Sequence, residues 1–99
     1  MLSATVTPVE EIGHALTERY GPLLRHDQVA KVLDVSPESL GNTLRRSREP
    51  NVMYLKKKKL RFGRRVRYSA IAVAEALVLD HDELTRRMSV ADRGSEHEQ

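Results

Sequence analysis

Apolar residues recur at helical spacing near the middle of the chain. Val29, Val32 and Leu33 share one face of a helix, because residues three and four positions apart lie on the same side. This spacing predicts a helix over residues 26–33, and Asp34 interrupts the pattern directly after it.

A second helix is indicated immediately after this break. Its outer face would carry Glu38, Ser39, Gly41, Asn42, Thr43, Arg45 and Arg46. Ser36 is a typical N-cap, and Pro37 suits the first helical position, where its missing N–H costs nothing. Leu40 and Leu44 lie one turn apart and form a single apolar stripe, which predicts a helix over residues 37–47.

Helical patterns also occur toward both ends of the chain. Thr7 and Glu10 match a capping box, which predicts a helix over residues 8–20. Ser69 caps a last helix with heptad-like spacing; alternatively, this helix only closes the domain and ends near Asp80. The first apolar stripe consists of Val9, Ile12, Leu16 and Tyr20, and the last of Ala70, Ala74, Leu77, His81, Leu84 and Met88.

Apolar and basic residues alternate in the interval 60–68. Alternation with a period of two around a glycine is typical of a β-hairpin, and its tip is predicted at residues 63–65. Residues 51–59 are expected to form a strand that extends this hairpin or a mobile basic loop. The inner face of the hairpin would consist of Leu60, Phe62, Val66 and Tyr68, and the polar face of Arg61 and Arg67.

Length and composition indicate one small domain. The 99 residues are 39% hydrophobic, include four aromatic residues and contain no cysteine, which excludes disulfides and thiolate metal sites. No apolar run approaches the ~20 residues of a membrane span, no signal peptide is visible, and a cytoplasmic location is expected. We expect a disordered N-terminus over residues 1–6, a folded domain over 7–88 and a disordered tail over 89–99.

Basic residues are concentrated in one part of the chain. Residues 45–68 contain eleven Lys and Arg against one acid, whereas the remaining residues hold six basic and thirteen acidic side chains. A local charge of +10 on an otherwise acidic protein is typical of a surface that binds a polyanion. The alternative is a solvated basic loop without a partner.

The chain resembles a known family over residues 23–78. The pattern LLxxxxVAxxLxVSPxSLxxxLRR, followed by LRFGRRVRYSAIAVAEAL, is similar to the excisionase and MerR-like winged helix-turn-helix family. Asp34 stands where family members often have Gly, and Arg25 where they often have Ser or Thr. The resemblance implies a mainly α fold with a small β-hairpin wing, a winged helix-turn-helix, that binds double-stranded DNA.

The resemblance also implies which residues would contact DNA. In such a unit the second helix reads base edges in the major groove, where Asn42 can pair with adenine and Arg45 or Arg46 with guanine, although either Arg can instead contact only phosphate. Arg64 and Arg65 would enter the minor groove, and the lysines would add sequence-independent attraction. The predicted DNA-binding residues are Ser36, Ser39, Asn42, Thr43, Arg45, Arg46, Lys56, Lys57, Lys58, Lys59, Arg61, Arg64, Arg65 and Arg67.

The pattern of residues favours a binding protein over an enzyme. The four His are scattered without a metal-binding spacing, and neither a Gly-rich phosphate loop nor a nucleophile turn is present, so no cofactor, metal or catalytic residue is predicted. The leading hypothesis is a small transcriptional regulator that binds DNA as a homodimer. The alternatives are an excisionase-like architectural factor with a recombinase partner, an RNA-binding protein and a protein-interaction module.

Overall fold

The described helices and a small antiparallel sheet share one hydrophobic core in this computed structural model. The structure describes the backbone of residues 7–97 and the side chains of residues 7–89; residues 1–6, predicted to be disordered, lie outside it. The elements are α1 (Pro8–Tyr20), β1 (Leu23–Arg25), α2 (His26–Leu33), α3 (Pro37–Arg46), α4 (Pro50–Lys57), β2 (Leu60–Phe62), β3 (Arg65–Ser69), α5 (Ala70–Val78) and α6 (His81–His97). The sheet has the strand order β1–β3–β2, so the chain is mainly helical with a small β element, as predicted.

The first three helices confirm the predicted elements. The Thr7 hydroxyl accepts a hydrogen bond from the Glu10 backbone N–H at 3.1 Å, and the Glu10 carboxylate accepts one from the Thr7 N–H at 3.2 Å. This reciprocal pair is the predicted capping box, and it satisfies two backbone donors at the start of α1. Helices α1 and α2 have the predicted bounds, and α3 ends one residue earlier than expected.

Strand β1 was not predicted from the sequence. Its three residues pair with the second strand of the hairpin, and Leu24 lies opposite Tyr68 in the register. Both of these side chains are buried. The pairing therefore attaches the hairpin to the helical body through the residues that directly precede α2.

The interval 51–59 is a correction to the prediction, because most of it is helical. Pro50 begins α4, which buries Tyr54 and Leu55 and ends at Lys57. Proline often follows the end of a helix, but it is equally suited to the first position of the next one, as Pro50 is here. The lysine tract is consequently neither a strand nor a loop at residues 56 and 57.

The C-terminal region also differs from a single heptad helix. Leu79 has extended backbone at the end of α5, and the Asp80 carboxylate accepts a hydrogen bond from the Glu83 N–H at 2.8 Å, which starts α6. The alternative of a helix ending near Asp80 is therefore confirmed. Helix α6 then continues through His97, in place of the disordered tail predicted from residue 89; residues 98 and 99 lie outside the described part.

Helix α1 packs on α5 within the same chain. Leu16 is buried, and Ile12 and Tyr20 are packed against the same hydrophobic core. The two helices approach closely at Gly13, where a Cβ atom would lie 3.0 Å from Ile71 Cδ1. The apolar stripe of α1 thus has its partner inside the chain and does not require a second subunit to cover it.

A polar cluster ties α4 to the two C-terminal helices. The Tyr54 hydroxyl donates to Glu75 Oε1 at 2.6 Å, and Arg87 Nη1 donates to Glu75 Oε2 at 2.9 Å. Arg87 also donates from Nε to Glu83 Oε2 at 2.7 Å, and this bond, with a second from Arg86, holds the pKa of the Glu83 carboxyl below its usual range. Burial, together with the bond to Glu75, raises the pKa of Tyr54 to about 12.

The raised pKa of Tyr54 predicts a loss of stability at alkaline pH. The stabilisation that this pKa difference gives to the folded state is complete below the ordinary tyrosine pKa of 10.0. It is lost as the pH rises toward about 12, because the tyrosine of the unfolded chain releases its proton first. A two-unit shift corresponds to at most about 3 kcal/mol of unfolding free energy. We expect Tyr54→Phe to abolish this part of the alkaline loss, measured by urea unfolding between about pH 9 and pH 11.5.

Tyr20→Phe is the control for this measurement, because Tyr20 is only partly buried and packs under Arg19. An identical decline with pH in wild type, Tyr54→Phe and Tyr20→Phe would contradict the assignment.

Candidate nucleic-acid interface

Helices α2 and α3 are connected by a short turn at residues 34–36. Asp34 adopts the left-handed conformation with φ 60°, and its N–H donates to the Lys31 carbonyl at 3.1 Å. Aspartate tolerates this conformation better than most residues, so glycine is not required here. The Ser36 hydroxyl then accepts from the Ser39 N–H at 3.0 Å and caps α3. The oxygen of Ser36, one of the predicted DNA-binding residues, is thus engaged in starting the helix.

Helix α3 presents a polar face to solvent. Leu40 and Leu44 are buried beneath it, as predicted. The opposite side carries Ser39, Asn42, Arg45 and Arg46, all exposed. Asn42 Oδ1 accepts a hydrogen bond from Arg45 Nη2, so these two side chains form one unit. Thr43 is exposed but lies toward α4, at the rim of an apolar cleft lined by Leu33 and Val52 among others.

His26 connects the start of α3 to the sheet. Its Nε2 lies 2.8 Å from the Pro37 carbonyl oxygen and its Nδ1 lies 3.3 Å from the Tyr68 hydroxyl. Because a carbonyl oxygen only accepts, Nε2 carries the proton, and Nδ1 of the neutral ring accepts from Tyr68. Burial raises the pKa of Tyr68, so this hydroxyl keeps its proton and remains a donor. The bridge fixes the position of α3 relative to β3.

A basic groove runs from the end of α3 across α4 to α6. Its volume is about 660 Å³. Met53, Thr85 and Met88 form part of its wall. Its charged lining consists of Arg45, Arg46, Arg48, Lys56 and Lys57. Folding residues 50–57 as a helix therefore brings two lysines beside the arginines of α3, which the sequence alone did not indicate.

The other half of the lysine tract faces elsewhere. Lys58 Nζ lies 5.6 Å from the centroid of the Tyr54 ring, and Lys58 lines a cleft with Glu75 and Glu83. Lys59 is half-buried directly after α4. The lysines that were predicted to act together are thus separated, with Lys56 and Lys57 on a basic surface and Lys58 on a mixed one.

The faces of the hairpin differ from the prediction. Phe62 pairs with Arg65, Leu60 with Arg67, and Arg61 with Val66. Directly opposed residues of antiparallel strands share a face, so Leu60 and Phe62 lie with Arg65 and Arg67 on the outer side of the sheet. Arg61 instead shares the side of Val66 and Tyr68. The predicted inner face of Leu60, Phe62, Val66 and Tyr68 is wrong, as is the placing of Arg61 and Arg67 on a single polar face.

The turn explains this difference. Gly63 has φ 62° and Arg64 does not have positive φ, which defines a two-residue type II′ turn at 63–64. The prediction assumed a three-residue tip that included Arg65. A change of one residue in the register moves every side chain of a strand to the other face.

The structure therefore gathers most of the predicted residues into two surfaces, whereas Lys58 lies in a separate cleft. One combines the outer face of α3 with the basic groove, and includes Arg48, which was not among the predicted contacts. The other is the hairpin, whose basic residues are Arg61, Arg64, Arg65 and Arg67. Phe62 was assigned to the core from its alternation, and glycine at the first position of a II′ turn is the signal that indicates the correct face.

Comparison of the chain with protein-family models, curated proteins and solved structures gave no match. Among the side chains of residues 7–89, no group of His, Cys, Asp and Glu is arranged to hold a metal ion. No helix within residues 7–97 is both long and apolar enough to cross a bilayer. The class that the fold defines is a small, mainly helical protein with a three-stranded sheet and one strongly basic side.

The bridge at His26 predicts coupled losses of stability. We expect His26→Ala to lower the unfolding free energy by about 1–3 kcal/mol, because the buried Tyr68 hydroxyl loses its acceptor. Tyr68→Phe should cost about 1 kcal/mol. The double variant should cost about 1 kcal/mol less than the sum of the two, because one interaction is removed in both. Urea unfolding of all four proteins measures this coupling, and strictly additive losses would contradict it.

Proposed function

We propose that this protein binds specific sequences of double-stranded DNA and acts as a small transcriptional regulator. In this proposal α2 and α3 form a helix-turn-helix, and the β2–β3 hairpin is its wing. The observation that carries the proposal is the continuity of the polar face of α3 with the basic groove beside it.

The dimensions and chemistry of α3 support contact with the major groove. An α-helix is about 10–12 Å across with its side chains and therefore fits a major groove about 12 Å wide. The ten residues of α3 extend about 15 Å along such a groove. Asn42 and Arg45 lie on its exposed side, and amide and guanidinium groups are the side chains that pair with adenine and guanine. Their mutual hydrogen bond holds both near one geometry before DNA is bound.

The charges around α3 support attraction to the phosphate backbone. Three arginines and two lysines line one groove at the end of α3, and a polyanion would relieve the repulsion among them. Phosphate contacts of this kind fix register without reading sequence. The groove would therefore supply affinity, and the face of α3 would supply specificity.

An excisionase-like architectural factor is the second candidate, and the hairpin favours it. All three residues of β2 are exposed, so the hairpin stands away from the helical body. Protruding ribbons that enter the minor groove commonly deform DNA. A recombinase would be the partner of such a factor.

RNA binding has less support than DNA binding. Single-stranded RNA is recognised largely by stacking of bases on aromatic side chains. Of the three aromatic residues near the basic segment, Tyr54 and Tyr68 are buried, which leaves Phe62.

Homodimerisation stays a prediction, but the two apolar stripes that could have formed its interface are packed or interrupted in this fold. The stripe of α1 is packed on α5, and the heptad pattern is interrupted between α5 and α6. The remaining argument is that one unit of this size contacts few base pairs, so that two half-sites give useful specificity.

The proposal predicts selective and salt-dependent binding to duplex DNA. Selection from random duplexes should enrich a defined sequence, and affinity for it should fall steeply with salt. About six phosphate contacts would lower affinity about a thousandfold between 50 and 200 mM salt, because each released counterion adds to the slope. Fluorescence anisotropy measures this. Absence of an enriched sequence, or a flat salt titration, would refute the proposal.

Substitutions in α3 and α4 should have separable effects. Asn42→Ala or Arg45→Ala should cost roughly 1–3 kcal/mol on the selected duplex and relax its sequence preference. Lys56→Ala should weaken selected and random duplexes about equally and reduce the salt slope by about one.

The matched control is Lys58→Ala, because this lysine lies beside Glu75 and Glu83 rather than in the basic groove. We expect it to leave DNA affinity nearly unchanged. Equal losses for Lys56→Ala and Lys58→Ala would show that position in the groove is irrelevant.

A further inference from the structure

Phe62 is the most exposed large apolar side chain of the described residues. Its exposed fraction is 86%, whereas the next, at Leu60 and Ile71, is 48%. A phenylalanine left in water forfeits the free energy that burial of its ring would contribute. It contributes nothing evident to the core, so the exposed ring needs an explanation outside the fold.

The position of Phe62 makes it the leading apolar group of the hairpin. It directly precedes the II′ turn at Gly63 and Arg64, and it pairs with Arg65 across the strands. Tyr68 is hydrogen-bonded to His26. The distance along the strand from Tyr68 to the turn is about 13 Å, at the usual rise per residue of a strand. The ring therefore lies near the end of a ribbon that projects from the body.

The surroundings of Phe62 indicate the charge of its partner. Residues 60–68 contain four arginines and no acid. Arg65 and Arg67 share its face, and Arg61 and Arg64 lie before the ring and in the turn. A partner that binds the Phe62 ring must also bind the four arginines around it. An anionic polymer that offers flat apolar surfaces meets both requirements.

Duplex DNA has both properties at its minor groove. The groove is about 6 Å wide and its phosphate-lined walls attract arginine, while stacked base pairs present apolar faces once a step is opened. The ribbon as a whole is wider than this groove, so only the side chains at its tip would enter. Minor-groove proteins insert Phe, Leu, Ile, Met or Pro at such places.

We propose that Phe62 is a wedge that enters a base step from the minor groove and kinks the duplex. The arginines of the hairpin hold the tip in the groove, and the ring stacks against the opened step. This inference rests on the proposed binding of duplex DNA, and it adds a residue and a deformation that phosphate contact alone does not require.

The test measures opening and bending of the duplex at saturating protein. The probe is the 30-base-pair duplex recovered by selection, with 2-aminopurine placed at successive steps and with dyes at both ends. We expect wild type to raise 2-aminopurine emission at one step and to raise energy transfer between the dyes, corresponding to a kink of about 20–90°. Phe62→Ala should lose both signals while keeping the salt slope of binding.

Two further variants separate the wedge from other effects. Phe62→Leu should retain part of both signals, because leucine also acts as a wedge. Leu60→Ala is the matched control, because Leu60 shares the face of Phe62 two pairs farther from the turn, and it should retain both signals in full. Unchanged circular dichroism and urea midpoints would show that the variants are folded, as an exposed position leads us to expect.

The outcomes distinguish the wedge from the proposed function. A wild type that binds the duplex with a steep salt slope, but gives neither signal, refutes the wedge and leaves DNA binding intact. A wild type that binds no duplex refutes both. A Phe62→Ala variant that keeps both signals but loses binding to phosphatidylglycerol vesicles assigns the ring to a membrane surface and refutes the wedge.

Discussion

The positions of α3 and the hairpin depend on one partly buried contact, a hydrogen bond between Tyr68 of the central strand and His26. Within the described residues β3 is the strand paired on both sides, and Leu24 lies opposite Tyr68 in the core. His26 follows β1 directly and bonds both to the Tyr68 hydroxyl and to the first carbonyl of α3. A shift of β3 would therefore move the helix and the ribbon together, and in a DNA-binding protein these elements must reach adjacent grooves at a fixed spacing.

A second polar cluster determines where the lysines lie. Tyr54 is held by Glu75, and Glu75 is held by Arg87, which fixes the rotation of α4 about its axis. With Tyr54 turned inward, Lys56 and Lys57 lie on the side of α3, and Lys58 lies over the Tyr54 ring. A sequence of four lysines cannot reveal this division, because it depends on the phase of a helix rather than on composition.

The sequence predicted the elements whose ends carry local chemistry. The capping side chains of Thr7, Ser36 and Ser69 each accept a hydrogen bond from the backbone three residues later. The starts of α1, α3 and α5 could therefore be predicted from the local sequence alone. Pro50 was ambiguous, because proline both follows one helix and begins the next, and α4 was missed for that reason. Strand β1 is three residues long and exists only through its pairing with β3, which no local pattern of that length can show.

The candidate site was predictable in composition but not in arrangement. Most residues expected on the outer face of α3 are there, because Leu40 and Leu44 fix that face by helical period alone. The predicted turn of the hairpin was one residue too long, and this error exchanged Phe62 and Arg61 between the two faces. As a consequence Phe62, which was predicted to lie on the inner face of the hairpin, is the most exposed large apolar side chain of the described residues.

The exposure of Phe62 can be tolerated because the hairpin gains its stability at the other end. Tyr68 and Leu24 bury the base of the sheet, so the tip needs no apolar contacts of its own to stay formed. The four arginines near the tip add repulsion, which disfavours self-association through the exposed ring. The same charges favour approach to a polyanion, so the arginines that disfavour self-association are also those that the proposed insertion of the ring into DNA requires.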